Sequence, residues 1–578
     1  MDFKRRVDVQ RRVARETGGI LSFNDRGNCG GFSRRRLFRS AALAGGGSLL
    51  TSGCGVGTES ASAAEGTTIT ASTTSPVAET TAGNVRGFTR NGIHTFKGIP
   101  YAATTEGPAR FLPPSRPQPW SGIRSSMYYG PTCPQRTRAG WLNDENAFLF
   151  QWNDGQPGED CLRVNLWTPS LEPRKRPVMV WLHGGGWSSG SGHEQPAYNG
   201  ENLSRRGDVV VVSVNHRLNL LGYMNLSAYG ARYSSSMNVG LLDLVAGLEW
   251  VRDNIASFGG DPDNVLLFGQ SGGGAKVSTL LSMPVAKGLF HRAVVQSGST
   301  LRLGDPERCA KLAAAVLAEL ELSKATIDKI HSVPYGQLLQ AEAAALKKLE
   351  PDSGRRGGFG FGPVVDGKIV TRHPFDPDAP AISAAVPMLI GTVLNEQSPS
   401  MTDPELESMT EDEMKKRAAE RYLDHAETIV ATYRRAFPNL KPVELLSRLF
   451  SDRTNAVAQA QLKAAQYAAP AFMYMFAWQT PLLNGRPRAF HCSEIPFVFY
   501  NTNLSAFATG GGQEARALAA KISDAWINFA RTGDPGHPGL PVWPKYDTAG
   551  PVMVFDNTCE VKNDPDRELR KAVNRALS

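Results

Sequence analysis

The sequence predicts an α/β fold, a mostly parallel sheet flanked by helices, and three observations carry that prediction. Apolar runs of strand length occur at 178–182, within 208–215 and at 264–270, as expected of strands buried on both faces. Between the second and third runs, Leu241, Leu244, Leu248, Val251 and Ile255 recur at spacings of three and four, the period of an amphipathic helix. Strands that alternate with helices build parallel sheets. The third observation is Gly269-Gln270-Ser271-Gly272-Gly273, which joins the run at 264–270 to a helical stretch at 275–283. Strand, Gly-x-Ser-x-Gly and helix together make a nucleophile elbow. In a chain with 58 glycines the motif means little without its two flanks. A turn this tight leaves no room for side chains beside the serine, so glycines flank it. A free hydroxyl is a poor nucleophile, and it needs a base and a place for negative charge.

Length and composition bound the rest. The chain has 578 residues, 41% hydrophobic and 20% charged, enough for one large enzyme domain with insertions. Its net charge is +8, but residues 1–54 hold 11 Lys/Arg against 4 Asp/Glu. The remainder is nearly neutral and has no global basic signature for nucleic acid.

Residues 1–54 read as an export signal. Ser33-Arg34-Arg35-Arg36 precedes a short, weakly apolar run at 41–50, too short to span a bilayer. The paired arginines resemble a bacterial twin-arginine signal. Thr51-Ser52-Gly53-Cys54 resembles a lipoprotein cleavage box, with Thr51 where Leu is usual. Two outcomes stay open, a lipid anchor at Cys54 or plain cleavage nearby, and both place the protein outside a bacterial cytoplasm. Residues 55–75 contain ten Ser/Thr and no Lys or Arg, the composition of a flexible tether. No later segment has transmembrane length, so the catalytic domain is expected over 76–578.

Along that domain, Gly98-Ile99-Pro100 and 110–114 read as Pro-punctuated turns. Strand 178–182 runs into His183-Gly184-Gly185-Gly186-Trp187. Three glycines there let backbone N–H groups face a site unobstructed, as an oxyanion hole requires. Another strand is expected at 292–297, and late ones at 386–391, 471–477 and 552–555. Helices at 311–320 and 337–349, and a charged helical stretch over 404–468, break the rhythm. They read as insertions near 306–385 and 404–490 that cover the site.

In this fold the chain order is nucleophile, acid, histidine. Glu396 follows the strand at 386–391, where such sheets place their chemistry. His373, His491 and His537 all come late enough, and the residues themselves do not separate them. Seven cysteines include Cys29 and Cys54 in the leader, leaving Cys133, Cys161, Cys309, Cys492 and Cys559. Export permits a disulfide, but spacing does not choose its members.

The segments FKGIPYA, EDCLRVNLW, VWLHGGGWSSG, VNHRLNLLGY, SFGGDPDNVLLFGQSGGG, KGLFHRAVVQSGS, GTVLNEQ, FHCSEIPFVF and NFARTGDP occur in that order. Over roughly 500 residues the chain thus resembles the type-B carboxylesterases, the cholinesterase and para-nitrobenzyl esterase group of the α/β-hydrolase fold. The resemblance implies Ser271 as nucleophile, Glu396 as acid and His491 as base. It implies oxyanion donors at Gly185, Gly186 and Gly272, a Cys133–Cys161 disulfide, small-molecule ester substrates, and neither metal nor cofactor. Such a bridge would stabilise the fold by roughly 3–4 kcal/mol through loop closure. Activity would fall as pH drops through the range of an unperturbed histidine, about 6–7.

The chain departs from the family in places. Gln270 and Gly272 flank the serine where relatives often carry Glu and Ala, which points to uncharged rather than choline esters. Cys492 follows His491 where Gly or Ala is usual. Trp152 lies near the family's choline-binding tryptophan but out of register, and reads as a core or rim residue. Two other functions compete: an inactive cholinesterase-like binding protein, and a specialised lipase, carbamate hydrolase or toxin esterase. Inactive relatives have lost the serine or the histidine, whereas here all three positions are filled.

Overall fold

The computed structural model describes residues 67–577 apart from 137–142, 154, 350–359 and 452. The export signal, the paired arginines and Cys54 lie outside the described residues. The first strands are β1 (Ile69–Thr70), β2 (Val77–Thr80), β3 (Gly83–Arg86), β4 (Phe88–Arg90), β5 (Ile93–Pro100) and β6 (Ile123–Ser125). Then come β7 (Arg163–Thr168), β8 (Arg176–Leu182), β9 (Val210–Val214), β10 (Gly260–Gln270) and β11 (Arg292–Gln296). The last are β12 (Met388–Val393), β13 (Ala471–Phe476), β14 (Pro551–Phe555) and β15 (Glu560–Asn563).

Twelve of these form one sheet in the order β1-β4-β5-β7-β9-β8-β10-β11-β12-β13-β14-β15, and β2-β3-β6 form a small second one. The centre, from β9 through β14, is parallel throughout. The strands at both margins are antiparallel. Strand β8 shows why the sequence reads as it does. Val178, Val180 and Leu182 join one buried cluster, while Met179 and Trp181 join another on the opposite face. Side chains alternate across a strand, so a strand covered on both sides is apolar at every position. The helices Val239–Asn254 and Gly272–Leu280 cover the first face through Leu241, Leu244 and Val277. The helix Gln513–Thr532 covers the second through Leu518 and Trp526.

The insertions are helical as expected, at Pro306–Glu319 and Tyr335–Leu349, then at Glu411–Tyr422, Ala426–Ala436, Pro442–Phe450 and Thr454–Ala464. Those from Glu411 to Phe450 share a third buried cluster with Leu569 and Val573 of the last helix, Arg567–Leu577.

Two expectations change. Gly98-Ile99-Pro100 is not a turn but the end of β5, whose pairing with β7 slips between Phe96 and Ile99. Gly98 takes φ +67° at that slip and Pro100 ends the strand, so both residues occupy strand positions that tolerate them. The tether expected over 55–75 also does not run to residue 75, because Ile69 and Thr70 pair with Arg90 and Thr89 as a strand of the large sheet.

Candidate active site

Ser271 directly follows β10 with φ 57° and ψ −121°, a strained conformation for a residue with a Cβ. The surrounding backbone enforces it. Ser271 donates its N–H to Gln296 O at 2.8 Å, which ties the turn to β11. A Cβ on Gly273 would lie 1.9 Å from Leu182 O, so the helix behind the serine packs backbone to backbone on β8. The hydroxyl is thereby held at the carboxyl end of the sheet, at the N-terminus of the helix Gly272–Leu280.

Glu396 lies just past β12. One carboxylate oxygen accepts the N–H of Val393 at 3.0 Å, and the other meets His491 Nδ1 at 2.5 Å. The two loops meet because they are zipped together: Asn395 bridges to Phe490 and donates to Ala489 O at 3.1 Å. With Nδ1–H donated to the carboxylate, His491 Nε2 is the accepting nitrogen, and the Gln270 side-chain amide donates to it. The two nitrogens lie 3.4 Å apart, and the Gln270 carbonyl accepts from Cys492 Sγ at 3.1 Å. Burial disfavours the charged ring. The Cys492 and Glu396 side chains beside it outweigh that, and His491 titrates well above the ordinary histidine value. The pH range of about 6–7 expected for a histidine in water therefore moves upward.

Ser271, Glu396 and His491 line one cavity of about 950 Å³ with Gly186 and Gly272. Gly185 belongs to the same loop, and both Gly185 (φ 81°) and Gly186 (φ 61°) take left-handed conformations. The other two late histidines do other work. His373 Nδ1 accepts from Leu303 N at 3.2 Å, and His537 Nε2 bonds Lys521 O at 2.9 Å. Neither lines the cavity.

Trp152 stacks on Phe150 at 4.6 Å, and Phe150 meets Phe490 edge-on. Trp152 thus reaches the histidine loop only through Phe150, and the tryptophan in the cavity wall is Trp187. Cys133 and Cys161 are both buried, and the Cys161 thiol is pushed well up, first by its hydrogen bond with Cys133 and then by burial. The two thus sit side by side, and both are free thiols in this structure. The outer wall comes mostly from the expected insertion over 404–490, and the share taken by the last helix was not foreseen. It comprises Arg421, Phe450 and Arg453 with Asn574 from the last helix, residues whose nearness to Ser271 no local pattern signals.

A family model, the carboxylesterase family, matches residues 74–572. The chain is 36% identical to para-nitrobenzyl esterase of Bacillus subtilis, over 86% of this chain and 98% of that one. It is 33% identical to phenmedipham hydrolase of Pseudarthrobacter oxydans, over 85% and 97%. Among solved structures it resembles an esterase from Clostridium hathewayi described as hydrolysing aliphatic aromatic polyesters. That match has TM-score 0.76 and 39% identity over 88% of this chain and 100% of that one. It also resembles a carboxylesterase of Geobacillus stearothermophilus, with TM-score 0.73 and 35% identity over 86% and 99%. A sheet, an elbow and a cavity of this form, matched along nearly the whole length of these enzymes, make the chain a member of the carboxylesterase family and a hydrolase of carboxylic esters.

Proposed function

We propose that Ser271 is the nucleophile of this esterase, His491 its general base and Glu396 the acid that orients the base. Ser271 Oγ attacks the ester carbonyl and passes its proton to His491 Nε2. The carbonyl oxygen gains negative charge, which the N–H groups of Gly185, Gly186 and Gly272 receive. His491 returns the proton to the departing alcohol, leaving the acyl group on Ser271. Water then attacks, gives its proton to Nε2 and releases the acid, and Ser271 Oγ recovers a proton. Glu396 holds Nδ1–H throughout and stabilises the imidazolium. The observation that carries this reading is the 2.5 Å Glu396–His491 bond, which opens on the same cavity as Ser271.

The neutral Gln270 beside the serine favours uncharged esters. Ser271→Ala tests the reading directly: the protein should fold, and kcat should fall by roughly 10⁵–10⁶. A mutant that keeps a tenth of the activity sinks the assignment.

The leader supports export through the twin-arginine route, so replacing Arg34 and Arg35 with Lys should hold the enzyme in the cytoplasm. Cys54→Ala separates a lipoprotein from a free enzyme, because loss of an anchor removes detergent-phase partitioning. The adjacency of Cys133 and Cys161 supports the disulfide that the resemblance implies, which would form on export. Thiol counting before and after reduction decides this, with two extra thiols expected after reduction.

A further inference from the structure

Lys276 is fully buried, one turn into the helix that starts at Gly272. A buried ammonium costs several kcal/mol unless it is well bonded. Its Nζ donates to His183 O at 3.0 Å and to Gly186 O at 2.9 Å, and it lies 5.5 Å from the Trp187 ring. His183 and Gly186 bracket the glycine run that carries two of the proposed oxyanion donors.

The carbonyls of that run can be followed one by one. His183 O is held by Lys276. Gly184 O accepts from His183 Nδ1 at 2.9 Å. Gly185 O accepts the N–H of Ser189 at 3.1 Å. Gly186 O is held again by Lys276. Four successive carbonyls are thus engaged by protein donors. A run of three glycines has unusual freedom to flip its peptide planes, and a flipped plane would aim a carbonyl where an N–H is needed.

A second observation is independent of the lysine. A Cβ on Gly272 would lie 2.4 Å from both Gly186 N and Gly186 O. The loop therefore approaches the elbow more closely than an alanine there would allow.

We propose that Lys276 is the positioning residue of the oxyanion loop. Its ammonium draws the first and last carbonyls of His183–Gly186 toward the helix behind Ser271, so that the N–H groups of Gly185 and Gly186 face the nucleophile, and Gly272 leaves the room this needs. Burial pushes Lys276 down to about 7, with Glu194 opposing. Even the neutral amine keeps hydrogens for both carbonyls. The proposal rests on Ser271 as nucleophile, and Ser271→Ala in the same assay tests that separately.

The experiment measures Lys276→Met, Gly272→Ala and the double variant on a nitrophenyl ester, with a boronic acid as tetrahedral mimic. Lys276→Met should lower kcat about 100-fold with KM within threefold, the scale of a lost oxyanion donor. Affinity for the boronic acid should fall by the same factor, while affinity for the product acid stays within threefold. Gly272→Ala should cost at least tenfold in the wild type but less than threefold beside Lys276→Met, because the released loop can back away. A folded Lys276→Met with kcat within threefold of wild type overturns the proposal. So do equal losses for mimic and product acid, or independent, multiplying costs in the double variant. Should Lys276→Met fail to fold, Lys276→Gln keeps a donor for one carbonyl. It should lose about tenfold in both kcat and mimic affinity, and unchanged values there overturn the proposal equally.

Discussion

The floor of the cavity and its outer wall are built by different means. At the floor, Ser271 and its glycines are held by backbone against backbone, with Gly273 seated on Leu182 and Ser271 N bonded to Gln296 O. At Gly273 no atom can be added without moving strand β8. The wall from Glu411 onward is helices packed through Met414, Tyr422, Leu445, Leu446 and Val573. Side-chain ion pairs lace it together: Arg453 and Arg570 share Asp566, and Arg434 binds Glu411 at 2.6 Å. Backbone contacts fix one geometry, whereas side-chain pairs can be exchanged for others of similar energy. On the proposed roles, changes at the floor should act on kcat, and changes in the wall should leave the turnover of a small ester largely intact.

The largest break of this comparison is Gly273→Ala. Its methyl group would sit in the Leu182 carbonyl, and the cost should exceed about 3 kcal/mol, the upper end for overpacking. Expression as soluble, fully active enzyme would show that the floor yields after all. Next is Glu396→Gln, which keeps the shape but can present an amide to Nδ1. It should lower kcat by roughly 10⁴, as expected when the base takes the wrong tautomer. It also removes a charge that raises His491. In the wild type a raised pKa means the ring stays protonated to higher pH, so activity should fall as pH drops through a value above 6.5. The residual activity of Glu396→Gln should lose its acid limb at lower pH than wild type. An unmoved limb would detach Glu396 from the titrating group.

The wall is tested by Asp566→Asn. Arg453 and Arg570 overcome burial and hold the Asp566 carboxyl down at about 2. Because the folded value lies below the ordinary 3.9, the pair stabilises the protein above that pH and loses its effect as pH falls toward 2. At pH 7 it is worth about 2–3 kcal/mol. Asp566→Asn should lower Tm by a few degrees yet leave kcat on a small nitrophenyl ester within threefold. A hundredfold loss of kcat would erase the distinction between floor and wall. The smallest effect is expected at Gln270. Restoring a charge with Gln270→Glu should raise kcat/KM for butyrylcholine about tenfold relative to neutral 3,3-dimethylbutyl butyrate, through roughly 1–4 kcal/mol of Coulomb attraction. If the wild type already prefers the cation, some other group supplies that charge.

How much of this was legible follows from the same contrast. The elbow, the glycine loop and the parallel strands could be read in the sequence because each is a local requirement. A strand buried on both faces must be apolar throughout, and a turn without space must be glycine. The acid position was legible as the loop after β12. The histidine was not separable from His373 and His537 by its own surroundings, and the resemblance to a family singled out His491. Strand β7 was hidden because buried polar residues with partners interrupt its run: Arg163 pairs with Asp160, and Asn165 bonds Gly98 and Ser213. Lys276 gave no signal either, since a lysine in a helix is ordinarily solvated. What the sequence determined by itself was the chemistry available at the carboxyl end of the sheet. Only the tertiary structure decided that Asn395 and Phe490 zip the Glu396 loop to the His491 loop, that Lys276 reaches the glycine loop, and that Arg453 and Asn574 line the same cavity as Ser271. These contacts join residues tens to hundreds of positions apart, and no local propensity encodes a distance that only packing closes.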